Sequence, residues 1–136
     1  MEEIHVNLAA VLVAAIVTFI LGGLWYTRSL FGNPWMKLVG KSEDELRKGA
    51  RPTNYMIAFI SGLITAYVLA LIVGYAGSTT VWGGAGIGAL CWLGFAGATS
   101  YLHNLFAGRP ARLWAIDSGY SLVCFVLAGV ILAIWR

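Results

Sequence analysis

Apolar residues fall into four long blocks, separated by short stretches where charge, glycine and proline collect. Crossing roughly 30 Å of hydrocarbon takes about 20 predominantly apolar residues in a helix. The blocks predict helices over residues 6–26, 54–76, 81–106 and 113–135. The expected fold class is all-α, a four-transmembrane-helix bundle forming one integral membrane domain over residues 1–136. Between Pro52 and Leu102 there is no Asp, Glu, Lys, Arg or His. A soluble fold of this size has too much surface to hide such a run.

The breaks between the blocks carry their own signals. Gly32-Asn33-Pro34 reads as a turn, and residues 34–39 then predict a short helix in the interface, with Trp35 and Met36 against lipid and Lys37 among headgroups. Ser42 with Glu45 three residues on matches a capping box, which predicts a helix through about Lys48, stopped by Gly49. Pro52 is expected to break the chain before the second span. The opening Met1-Glu2-Glu3-Ile4-His5 lacks the positive leader of a secretory signal, so the first span is expected to stay attached.

Charge orients the bundle. The first connection holds Arg28, Lys37, Lys41, Arg47, Lys48 and Arg51, the turn before the fourth span holds Arg109 and Arg112, and the opposite side has only Arg136. The positive-inside rule puts both basic connections in the cytoplasm and both termini outside. Composition agrees with a membrane protein: of 136 residues, 60% are apolar and 11% charged, against roughly 25% charged in soluble domains. The net charge of +3 does not point to nucleic acid, because the basic residues sit in loops rather than along a solvated stripe. Cys91 and Cys124 lie inside apolar blocks and read as small hydrophobes, with no metal-ligand spacing and no cofactor motif.

Helix association in lipid depends on small residues that allow close approach. Ala58, Gly62, Ala66, Ala70 and Gly74 recur every four positions on the second span, and Gly84, Gly88 and Gly94 lie on the third. These are expected packing positions, within the chain or against a second copy in a homo-oligomer. Trp25, Tyr26, Phe31 and Trp35 form an aromatic group at the headgroup level.

Ionisable residues inside membrane helices are costly and are candidates for function. Two qualify, His103 and Asp117. The turn around Gly108-Arg109-Pro110 makes the last two spans antiparallel neighbours, placing His103 roughly 5 Å and Asp117 about 7 Å inside their helix ends. With Asn104, Arg112 and Arg28 at the same level, they define an expected polar cluster near the cytoplasmic face. It reads either as a network fixing helix orientation or as a proton or cation site. One His and one Asp without a nucleophile do not make a triad, so no enzyme is expected.

Two stretches resemble a bacterial membrane family catalogued as domain of unknown function number 1761. The first is Leu21-Gly22-Gly23-Leu24-Trp25-Tyr26 with Leu30-Phe31-Gly32-Asn33-Pro34-Trp35-Met36 and Gly40. The second is Trp92-Leu93-Gly94-Phe95, His103-Asn104-Leu105-Phe106, Arg109-Pro110 and Ile116-Asp117-Ser118-Gly119-Tyr120. The resemblance implies a four-helix protein of the bacterial cytoplasmic membrane and carries no activity with it. Small multidrug exporters place a Glu in their first helix, whereas the first span here has no acid. The functional expectation is a non-enzymatic structural or interaction protein, in contact with the lipid bilayer and with no protein partner named by the sequence. The alternative is a small transporter or channel using Asp117 and His103.

Overall fold

A computed structural model of the chain describes residues 4–27 and 29–136. The described residues form helices and turns without strands. Four helical spans are long and apolar enough to cross a bilayer: Leu8–Trp25, Pro52–Ala76, Val81–Phe106 and Ala111–Ile134.

Helix α1 (Leu8–Trp25) starts at Asn7, whose side chain accepts from the amides of Ala9 and Ala10. This satisfies two of the donors a helix start leaves open. Helix α2 (Gly32–Val39) includes the Gly32-Asn33-Pro34 stretch in its first turn, so that stretch is helical rather than a separate turn. Proline is tolerated there because its fixed φ suits a helix and its missing N–H would have no intrahelical partner. The helix ends at Gly40, in the left-handed region at φ 77°. Helix α3 (Glu43–Gly49) is capped as its sequence implies, with Ser42 Oγ accepting from the Glu45 amide.

Helix α4 (Pro52–Ala76) starts two residues earlier than its apolar block predicts. Pro52 is the first helical residue and does not break the chain there, again because the first turn needs no donor from it. The third span is composite: α5 (Val81–Cys91), a π-helical segment Trp92–Gly97 and α6 (Ala98–Phe106) run on without a break. Its wide turns, with the Ala98 amide bonded to the Leu93 carbonyl, are not visible in the apolar pattern. A turn through Gly108, at φ 70°, leads into α7 (Ala111–Ile134).

Helix α7 is the hub, packing against α1, α4, α5 and α2. Its tightest partner is α5, while α4 and α5 barely meet. The core is made of small and medium side chains: Ala10, Val11 and Ala14 of α1, Ala66, Leu69 and Val73 of α4, and Ala128, Leu132 and Ala133 of α7. Many of the larger apolar residues point outward, with Phe95 75% and Trp82 86% exposed. An outer apolar belt around a small-residue core suits lipid, where burying large side chains gives helices little advantage.

Candidate functional site

The end of the bundle where α1 stops and α7 begins gathers most of the polar and aromatic chemistry. Tyr26, the residue after the first span, donates from Oη to Asp117 Oδ1 at 2.6 Å. Trp25 donates from Nε1 to the Ile116 carbonyl at 3.0 Å. One turn further along α7, Tyr120 Oη donates to the Thr18 carbonyl at 2.7 Å. Three hydrogen bonds therefore stitch the last two turns of α1 and its cap to the start of α7. Burial first, then the bond to Asp117, raises the Tyr26 phenol above its ordinary value, so it stays a donor.

The aromatic group completes the joint. Trp25 stacks on Phe31 with ring centroids 4.6 Å apart. Tyr26 meets Trp35 edge to face at 5.3 Å and Tyr120 at 5.8 Å. The chain folds back here because the Phe31 amide bonds the Trp25 carbonyl and the Gly32 amide the Thr27 carbonyl. Gly22 makes the Tyr120 bond possible, since a Cβ there would lie 2.7 Å from Tyr120 Oη.

The residues of the expected polar cluster separate. Asp117 takes its hydrogen bond from Tyr26. Asn104 Nδ2 donates to the carbonyls of Arg109 and Pro110, at 3.1 and 3.2 Å, and so closes the α6–α7 turn. The side chains of His103 and Arg112 are exposed and have no hydrogen-bond or ion-pair partner among the described residues. Arg28 lies outside the described residues. A second polar contact takes the place expected of His103: Ser100 Oγ accepts from Trp114 Nε1 at 3.0 Å and meets Ser118 Oγ at 3.1 Å. Ser118 is 6% exposed. Ser100 and Ser118 reach each other because small hydroxyls fit where two helices come close.

The small residues also divide by role. A Cβ on Gly84 would strike the Gly129 carbonyl, and one on Gly88 the Phe125 carbonyl, so both sit at the α5–α7 crossing. Ala66 is buried in the core and Ala70 packs against it. Gly74 faces Ile4. Ala58 and Gly62 line a cleft of about 260 Å³ among α1, α4 and α7. Gly94 has nothing within 4 Å and faces outward.

The family resemblance groups the aromatic motif at the end of the first span with the Asp117 region, but the residues alone do not give the bond between Tyr26 and Asp117. The signal was available: with antiparallel spans, the end of the first and the start of the last lie at the same end of the bundle. His, Cys, Asp and Glu form no group of three suited to a metal among the described residues.

Fold and site together define a class, an all-helical chain whose four spans have the length and apolarity of a multi-pass membrane protein and whose first and last spans are joined at one end by hydrogen bonds. The chain belongs to the family described as protein of unknown function (DUF1761), whose profile matches residues 9–133. Among curated proteins and among solved structures, nothing matches the chain.

Proposed function

We propose that this is a non-enzymatic structural or interaction protein of the bacterial cytoplasmic membrane, with its basic connections inside and its termini outside. The observation that carries the reading is the engagement of Asp117. Its carboxylate accepts from Tyr26 at the joint between α1 and α7, which gives it a structural partner although the residue is exposed. The apolar plug beyond it gives further support. Val11, Ala14, Leu69, Val73 and Leu132 are buried together across the half of the bundle nearer the termini. A homo-oligomer belongs to the same proposal, because Gly94 leaves the outer face of the third span open to a second copy.

Flux measurements in proteoliposomes test this reading against a transporter. The proposal expects proton and monovalent-cation leak at the level of protein-free vesicles, unchanged in Asp117→Asn. A flux above that level which disappears in Asp117→Asn would overturn it.

A further inference from the structure

Two hollows lie one above the other along the seam between α1 and α4. The lower one, about 410 Å³, sits where α1 ends and α2, α3 and the start of α4 converge, with Tyr26, Trp35, Tyr55, Glu43 and Arg47 in its wall. The upper one is the cleft of about 260 Å³ among α1, α4 and α7, inside the apolar part of the bundle. On α4, Tyr55 of the lower hollow and Ala58 and Gly62 of the upper are spaced three and four apart, so they share one face. On α1, Ala15 and Phe19 line the upper hollow, and Tyr26, two turns past Phe19, lines the lower.

The upper cleft is held open by missing side chains rather than closed by them. The only atom near a Cβ built on Gly62 is Thr18 Oγ1, at 4.0 Å. By contrast, the same addition at Gly84 or Gly88 runs into backbone. Gly62 therefore leaves space where Gly84 and Gly88 permit contact. The polar groups around this space are largely turned away from it: Thr18 and Thr65 hydroxyls bond carbonyls of their own helices, and the Tyr120 hydroxyl bonds Thr18. Phe19, Leu69 and Phe125 supply an apolar wall. Ala58, Ser61 and Thr65 are exposed, so the cleft opens to its surroundings along α4.

The lower hollow has the opposite character. Arg47 donates one N–H to Glu43 at 2.8 Å, and its side chain is 75% exposed. A guanidinium has five N–H donors, and the remaining ones suit a phosphate. Helix α3 sorts its charge by end, with Glu43, Asp44 and Glu45 in the first turn and Arg47 and Lys48 in the last. Tyr26, Trp35 and Tyr55 are amphipathic rings of the kind found at headgroup depth.

We propose that this seam binds one phospholipid, with an acyl chain in the α1–α4–α7 cleft and the phosphate at Arg47. A polar hollow that holds an exposed guanidinium, in register with an apolar slot, fits an amphiphile with a phosphate head and a linear tail. The proposal goes beyond the structural role given above and does not depend on it.

The test uses the full chain reconstituted in vesicles of phosphatidylethanolamine and phosphatidylglycerol doped with a phospholipid carrying a photoactivatable group on its acyl chain. Cross-links are expected to concentrate on Ala14–Phe19 and Ala58–Gly62 rather than on the outward-facing Leu90, Leu93 and Gly94. Gly62→Leu, which has room for its side chain, should cut labelling of those segments several-fold, while Gly94→Leu leaves it at the wild-type level. Ala58→Leu fills the same cleft from another position and serves if Gly62→Leu fails to fold. Arg47→Gln should reduce retention of the phospholipid but not of the matching diacylglycerol, which has no phosphate. Uniform labelling of all outward faces would overturn the site. Wild-type labelling in a folded cleft-filling variant would also do so. Equal loss of both lipids in Arg47→Gln would remove the phosphate contact.

Discussion

Tyr26 and Asp117, 91 positions apart, meet through a hydrogen bond of 2.6 Å between Oη and Oδ1. The contact joins the end of the first span to the beginning of the last. Neighbouring bonds from Trp25 and Tyr120 secure the same two helices. Repeated attachment at one end holds α1 to α7, while α5 packs on α7 through Gly84 and Gly88. Interhelical hydrogen bonds in membranes contribute only about 0.6 kcal/mol each on average, so three together matter more than any one of them.

Gly22 and Tyr120 are expected to depend on each other. Gly22→Ala places a methyl 2.7 Å from Tyr120 Oη, whereas the ring carbon Cζ is 3.2 Å away. Removing the hydroxyl in Tyr120→Phe therefore relieves the tightest contact. The alanine should lower the thermal midpoint in detergent clearly in the wild-type background and much less with Tyr120→Phe. Equal shifts in both backgrounds would show that the two residues do not compete for that space.

The α5–α7 crossing should be the least tolerant place for added bulk. Gly84→Ala and Gly88→Ala drive a methyl into the carbonyls of Gly129 and Phe125, and overpacking of this kind costs about 1–3 kcal/mol. Gly94→Ala meets open space and should be neutral, or stabilising by up to about 1 kcal/mol from helix propensity. Chemical unfolding in mixed micelles reads all three. A large loss at Gly94 with none at Gly84 would reverse the assignment of helix faces.

Ser100→Ala removes the acceptor of the Trp114 indole and the partner of the buried Ser118 hydroxyl. Leaving buried polar groups unpaired costs about 1–3 kcal/mol. The variant should be less stable, and Trp114 emission should shift as its N–H finds a new partner. Fluorescence of a variant retaining only Trp114 checks this, with an unchanged spectrum counting against the contact.

The four spans were legible because apolar runs of bilayer length have few other uses, and Ser42 with Glu45 gave α3 its start. The rest was hidden for physical reasons. Trp92–Gly97 runs in π turns, and an apolar run looks the same with either turn. Gly62 and Gly84 are the same residue in similar stripes; only the neighbour, a cleft or a carbonyl, separates their roles. Asp117 was visible as an intramembrane acid, but its partner comes from the far end of the chain. His103 shares that depth and yet faces outward, since depth along a helix says nothing about direction around it.

The central claim is that Asp117 serves as one half of a helix joint. A double-mutant cycle of Tyr26→Phe and Asp117→Ala, with unfolding free energy measured in mixed micelles, tests it most directly. The account predicts a favourable coupling of about 0.5–1.5 kcal/mol between the two side chains, so that either substitution removes most of what the pair contributes. Strictly additive effects would contradict it and leave Asp117 without a structural role at this joint.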